Sequence, residues 1–315
     1  MVHGRPLTGA LGLALVACSA PVNMTQPRND FSDIEDASVP FDAAPSIDQL
    51  CTQLAKNTCD RFASACAPVV MQLLFEGGPT ECQTGRKAVC LAVEGAGTAD
   101  TPMHLAACAQ ARTTASCDEL LVYTAPSISC AALPGPRTSG AGCATDFQCQ
   151  SAFCKNMGVG TCGTCAVFQP VGGSCTIDGE CQRGLHCVNM KCAAYPTSMA
   201  GTPCTSDEQC NWPLRCFGVY DGTKFLSGST CGLMTVSTAG GSCGWMTMNA
   251  TGGTSFYAYQ GCPEGDCHFP NASSYTGTCP TIVDANATCD ETHVCRYPAL
   301  CVSGTCHGLD FNSCH

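Results

Sequence analysis

Between Gly172 and Cys192 the chain reads GGSCTIDGECQRGLHCVNMKC, and its four cysteines, Cys175, Cys181, Cys187 and Cys192, stand five, five and four residues apart. The opening recurs upstream as GAGCATDFQC and downstream as GTPCTSDEQC, each with glycine three before a cysteine, aspartate three after it and a second cysteine three beyond. A fourth unit opens GGSC at Gly240, and a fifth, NATCDETHVC from Asn286, keeps only the cysteine spacing. Units of about 30 residues cannot bury an adequate apolar core. Closing a loop of about 10 to 15 residues with a disulfide contributes roughly 3 kcal/mol in the chain-entropy picture, so these units need their bridges to fold. The recurring glycine fits a turn with positive φ, and Asp146, Asp178 and Asp207 fit acceptors for backbone amides just ahead.

Thirty-one cysteines in 315 residues place the mature chain in an oxidising compartment. Aromatic residues are only 7% and charged residues 12%, beside 33 glycines and 19 prolines, which favours several small stapled cores over one large one. The formal charge of -11 provides no basic field for nucleic acid or anionic lipid.

The odd cysteine is explained at the N-terminus. Arg5 precedes an apolar run, Leu7 to Ala17, that is too short to span a membrane and reads as an export signal over residues 1–17. Leu15-Val16-Ala17-Cys18 resembles the lipobox of bacterial lipoproteins, which implies cleavage before Cys18 and its acylation as a membrane anchor. Without Cys18 the count is even. The competing reading is cleavage after Ala20 by an ordinary signal peptidase, giving a secreted protein. The acceptor tripeptides at Asn23, Asn249, Asn271 and Asn286 would suit that setting. Residues 18–45 carry acidic side chains and prolines without apolar periodicity and read as a flexible tether.

Residues 46–133 change to helical spacing. Ile47, Leu50, Cys51, Leu54, Ala55, Cys59, Phe62 and Cys66 form one stripe opened by Ser46 with Gln49, and Pro68 marks its stop. Thr80 with Gln83 is expected to open a second helix, Thr101-Pro102 a third and Ser116 with Glu119 a fourth. Eight cysteines here predict a disulfide-pinned helical domain. After the helix-breaking LPGPRTSGAG, residues 134–315 divide into modules 140–170, 171–199, 200–239, 240–285 and 286–315. The expected fold is small and disulfide-rich: a helical domain, then tandem β-hairpin and loop modules forming a rod.

The run Cys143-x2-Asp146-x2-Cys149, Cys154, Cys162-Gly163-Thr164-Cys165, Cys175 is similar to the N-terminal cysteine-rich region of Dickkopf proteins, over at most a third of the chain. The resemblance implies a non-catalytic extracellular binding module. The overall layout resembles cysteine-rich surface lipoproteins of bacteria such as myxobacteria, which implies an outer-membrane or cell-surface location. Four cysteines allow three pairings. Analogy with other small four-cysteine modules favours first with third and second with fourth.

Reactive motifs are weak. GGSCG at Gly240–Gly244 formally matches a nucleophile elbow at Ser242, but GGSC also opens the second module, so it reads as repeat signature. Cys162-x2-Cys165 has no companion pair to complete a zinc site, and the histidines, His186 and His293 among them, are scattered. No catalytic residue, metal or cofactor is expected. Partner contacts are expected where modules are stretched. One such place is VYDGTKF, with Tyr220 and Phe225 flanking an Asp221-Gly222 turn; the other is the fourth module, with Trp245, Phe256, Tyr257 and Tyr259. The expected function is binding or adhesion at the cell surface, to an extracellular protein or glycan, with a structural or protease-inhibiting role as the alternative.

Overall fold

The computed structural model describes residues 45–121, 127–155, 162–195, 199–211, 213–219, 225–249, 255–264, 266–271 and 274–308. Cys18, the signal, the tether up to residue 44, Tyr220 and the Asp221-Gly222 turn lie outside them.

Ser46 opens α1 (Ile47–Ala65) with a reciprocal capping box: its hydroxyl accepts from the Gln49 N–H, and Gln49 Oε1 accepts from the Ser46 N–H at 2.8 Å. The buried face is the stripe read from the sequence, including Leu50, Cys51, Ala55, Cys59 and Phe62. Pro68 does more than follow a stop. It occupies the first turn of α2 (Pro68–Leu74), where its missing N–H has no intrahelical partner to lose. The second expected start is corrected: α3 (Gly78–Gly95) begins before Thr80, capped at Gly77 with Pro79 in its first turn, and the Glu81 carboxylate accepts from the Gly77 N–H. Thr101 and Ser116 do cap α4 (Pro102–Arg112) and α5 (Cys117–Leu120), each accepting from the N–H three residues on.

Cys51–Cys90 and Cys59–Cys82 join α1 to α3, Cys66–Cys117 joins the end of α1 to α5, and Cys108–Cys130 ties down a one-turn helix at Ile128–Cys130. Between them lies an apolar core of ordinary kind, with Phe62, Val70, Met71 and Phe75 buried together.

The modules are built otherwise. Module one has β1 (Gly142–Cys143), β2 (Cys154–Lys155) and β3 (Gly163–Cys165), with β3 central in an antiparallel sheet. Module two is a hairpin of β4 (Leu185–Val188) and β5 (Lys191–Ala194), and module three pairs β6 (Leu214–Phe217) with β7 (Thr230–Leu233). Module four holds the longest strands, β9 (Ser242–Asn249) and β10 (Ser255–Gly261). β8 (Thr235–Val236) and β11 (Thr276–Thr278) flank them in the order β11-β9-β10-β8. In module five β12 (Thr281–Val283) pairs in parallel with β13 (His293–Cys295), and β14 (Leu300–Val302) pairs with β15 (Thr305–His307). Two sheets take a strand from across an expected module boundary: β8 from the third range and β12 from the fourth.

All five modules share one interlaced disulfide pattern: first cysteine to third and second to fourth in modules two to five, and in module one first to third and second to Cys165, with the intervening Cys162 in a separate disulfide. In module two these are Cys175–Cys187 and Cys181–Cys192. The others are Cys143–Cys154 with Cys149–Cys165, Cys204–Cys216 with Cys210–Cys231, Cys243–Cys267 with Cys262–Cys279, and Cys289–Cys301 with Cys295–Cys306. In module one it is the four cysteines of these bridges that make up the buried cluster. Cysteine here replaces the aliphatic core.

A backbone clamp repeats with them. The residue three before the first cysteine has positive φ in every module: Gly140 (86°), Gly172 (77°), Gly201 (87°), Gly240 (73°) and Asn286 (69°). Its N–H donates to the carbonyl of the fourth cysteine, as Gly172 does to Cys192 at 2.8 Å, and the N–H of that cysteine returns to the next residue's carbonyl, here Gly173 at 2.9 Å. Module five, which retains only the cysteine spacing in sequence, retains this clamp as well. Asparagine is among the few residues with a side chain that enter this region readily.

In modules one to three, Asp146, Asp178 and Asp207 each accept from the N–H of the third cysteine, at 2.8, 2.7 and 2.8 Å. The amide is therefore eight or nine residues ahead rather than adjacent. A second repeated acceptor was not anticipated. Gln148, Glu180 and Gln209, each just before the second cysteine, accept from the N–H of the residue after the first, at 2.7, 2.6 and 2.7 Å. Gln148 is wholly buried and also donates to the Ala96 carbonyl at 2.7 Å, tying module one to the end of α3.

The expectation of a rod is overturned. Modules four and five close back on the helical domain because an aromatic side chain fits a slot there. Tyr297 lies edge-on to Phe75 (5.5 Å between centroids) and covers Gly85, where a Cβ would stand 2.3 Å from its ring. The Arg86 guanidinium lies 5.9 Å from the same ring. Arg296 bridges Glu81 of α3 (2.8 Å) and Asp284 of its own module (2.9 Å).

Candidate binding cleft

Where α2 meets modules three, four and five, a cleft of about 470 Å³ opens, a volume within the range of small-ligand sites. Its apolar wall is Leu73, Leu74 and Met234, and Tyr259, Glu264 and Asp266 come from module four. β10 presents Tyr259 directly opposite Trp245 of β9. Their rings meet edge-to-face at 5.1 Å, and the Arg215 guanidinium lies over the Tyr259 ring, 5.0 Å from its centroid. Arg215 also faces Asp207 at 3.6 Å.

Glu264 sits in the turn after Cys262. Its carboxylate accepts from the Glu76 N–H (2.9 Å) and the Tyr297 N–H (3.0 Å), so one side chain of module four holds both α2's exit and module five. Burial raises the Glu264 pKa above its ordinary value; the two backbone donors pull it down, and neighbouring Glu81 pushes it up. Burial likewise raises the Tyr259 phenol, with Arg215 opposing and Asp266 adding to the rise. Asp266 is exposed and makes no hydrogen bond or ion pair among the described residues.

Of the residues expected to meet a partner, Tyr259 lines this cleft. Phe225 is a correction: it is only 5% exposed and belongs to the buried cluster of module three with Cys204, Cys210, Cys216 and Cys231. Trp245 and Tyr257 are half-buried against that same cluster. Phe225 and Trp245 meet at 5.2 Å, and Tyr257 exchanges backbone hydrogen bonds with Gly218. These rings join module four to module three. Phe256 pairs with Met248 in the β9–β10 register, and its side chain lies outside the described residues, as does Tyr220. Sequence reasoning missed Arg215, Glu264, Asp266 and Tyr297. For Tyr297 a signal existed: Gly85 interrupts a helix interior, where glycine is costly unless another group approaches closely.

The reactive motifs resolve structurally. Gly240 and Gly241 form a turn that leads into a strand, the reverse of the strand–turn–helix order an elbow at Ser242 would need. Cys165 is bonded to Cys149, and Cys162 is itself in a disulfide, so the CxxC pair is not a dithiol. Sulfur triads such as Cys175, Cys181 and Cys192 lie close enough to suggest metal ligands, yet all belong to disulfides and offer no thiolate. His186 stacks on Tyr195 at 4.7 Å, and His293 bonds Asp290 at 3.0 Å.

No protein-family model, curated protein or solved structure matches this chain. The extensive disulfides point to an extracellular or otherwise oxidising environment. Among the described residues no helix is long and apolar enough to cross a membrane.

Proposed function

We propose that this chain is an exported, non-catalytic binding protein, held at a bacterial cell surface by lipid on Cys18 and engaging an extracellular partner through the cleft between α2 and modules three to five. The observation that carries the reading is the cleft's assembly: four separately stapled parts of the chain converge on one cavity of about 470 Å³, and clefts at domain junctions are preferred ligand sites. Their disulfides and the Tyr297 slot hold the walls in place before any partner arrives, which lowers the entropic cost of binding.

The test uses the full chain purified from its own host. Labelled protein is applied to host cells and to the extracellular fraction, alongside Tyr259→Ala and a distant control, Val171→Ala. Loss of retention in Tyr259→Ala alone supports the cleft; equal retention of all three proteins contradicts it. Intact mass tests the anchor: an acylated chain beginning at Cys18 supports it, and a start at Pro21 replaces it with secretion.

A further inference from the structure

We propose a second site, in the helical domain, where the guanidiniums of Arg86 and Arg112 bind a small oxyanion. Two cationic side chains whose hydrogen-bonding capacity goes unmet carry the inference. The Arg86 Nε is buried without a hydrogen-bond partner, and among the described residues its guanidinium makes no ion pair. It lies instead 5.7, 6.0 and 5.9 Å from the rings of Phe62, Phe75 and Tyr297. Those rings attract the charge but replace none of the oxygen acceptors that guanidinium N–H groups call for. The Arg112 Nη1 is likewise buried without a hydrogen bond. It stands 3.5 Å from a Glu119 carboxylate oxygen that already accepts from the Ser127 N–H at 3.0 Å.

The two groups share one corner of the domain. Ala115 and Leu120, on either side of Glu119 in the chain, pack in the same buried cluster as Phe62 and Phe75, whose rings Arg86 covers. A third guanidinium, Arg61 of α1, donates its Nε–H to the Ala115 carbonyl at 2.6 Å and adds positive charge there. Burial lowers the Arg112 pKa from its ordinary value; Glu119 opposes this and Arg86 adds to it. The chain has 25 acidic side chains against 14 lysines and arginines, yet those beside Tyr297 do not correct the excess. Glu81 is paired with Arg296 at 2.8 Å, and Glu264 accepts from the N–H groups of Glu76 and Tyr297. An oxyanion between Arg86 and Arg112 would accept from both and offset their repulsion, and a planar guanidinium fork fits two oxygens of a carboxylate or phosphate better than a monatomic ion. Both side chains are only partly buried, so a solute reaches their remaining nitrogens.

The probe is inorganic phosphate, titrated by calorimetry into the full, oxidised protein at fixed ionic strength, with acetate and chloride as comparators. An oxyanion should bind saturably and raise the thermal unfolding midpoint; chloride should do neither. Arg86→Gln should weaken that binding at least about tenfold, the scale of a lost charge-assisted hydrogen bond. Lys191→Gln removes the same charge from an exposed side chain of module two and should leave binding unchanged. Arg86→Lys keeps the charge but loses the fork, and should weaken binding roughly threefold. Unreduced mass and near-UV dichroism check that each variant folds. If Arg86→Gln does not, Arg86→Lys decides: weakened binding supports the site and unchanged binding contradicts it. Acetate separates the two classes of oxyanion. Tighter, Arg86-dependent acetate binding assigns the site to a carboxylate, and tighter phosphate binding assigns it to a phosphate or sulfate. Absence of saturable binding by both, chloride binding as well as either, or equal effects of Arg86→Gln and Lys191→Gln would each overturn the inference.

Discussion

The helical domain and the modules use the same bond for different ends. In the helices, four disulfides brace a core that already buries Phe62, Val70, Met71 and Phe75. In modules one and two the buried clusters are cysteines, with Leu185 and Cys187 the partly buried company in module two. A disulfide added to an apolar core strengthens it; a disulfide that is the core decides whether folding happens at all. The modules are thereby freed from needing large apolar residues, and their sequences can vary wherever the clamp and the bridges are not involved.

Removing bridges should expose this difference most strongly. Replacing Cys181 and Cys192 with alanine deletes an 11-residue-separated bridge and should cost module two roughly 3 kcal/mol, enough to unfold it. Hydrogen exchange should show β4 and β5 losing protection while α1 and α3 keep theirs. The equivalent removal of Cys59–Cys82 should leave the helices folded though weakened, since their apolar core persists. Equal collapse in both would erase the distinction.

Next in size is the junction between the two regions. Gly85→Ala places a Cβ 2.3 Å from the Tyr297 ring, and relief requires that module five shift. An overpacking cost of about 2 kcal/mol is expected against the gain that alanine normally brings to a helix. Tyr297→Ala combined with Gly85→Ala should recover helix stability; thermal unfolding of the three variants distinguishes a steric junction from an ordinary helix effect.

The turn clamp comes third. Gly172→Ala forces a side chain into φ +77° and should cost about 1 kcal/mol. Asn286→Ala, at +69°, should cost less, because asparagine already tolerates part of that strain. Denaturant midpoints of the two variants, followed by exchange in their own modules, check the order.

The smallest effect is electrostatic. Burial lifts the Glu264 pKa above the ordinary 4.5, so the folded chain binds this proton more tightly than the unfolded chain does. The group's contribution is therefore unfavourable once it ionises, and stability should fall as pH rises from about 4.5 through the raised value. Glu264→Gln should flatten that part of the stability–pH curve, and an unchanged slope would place the titration elsewhere.

Much of the local architecture was legible because it is encoded in short spacings. Ser46 with Gln49, Thr101 before Pro102 and Ser116 with Glu119 all act as caps, and the glycine that opens each of modules one to four takes the positive φ that a turn there needs. What was not legible depends on distance along the chain. Tyr297 and Gly85 are far apart in sequence, and neither carries a local pattern that names the other. The aromatics of module four stand out in the sequence, but periodicity cannot say whether a ring meets a partner or a neighbouring module. Trp245 and Tyr257 meet module three, and Tyr259 alone among the described ones lines the cleft. Asp266 and Glu264 gave no signal, since a carboxylate acquires its role only from the walls assembled around it.

The most direct measurement of the central claim is disulfide mapping of the unreduced protein by mass spectrometry, after proteolysis at acidic pH to prevent exchange. The expected linkages are first to third and second to fourth in modules two to five, beginning with Cys175–Cys187 and Cys181–Cys192, and Cys143–Cys154 with Cys149–Cys165 in module one. Sequential pairing, Cys175 with Cys181 and Cys187 with Cys192, or free thiols at these positions, would contradict it.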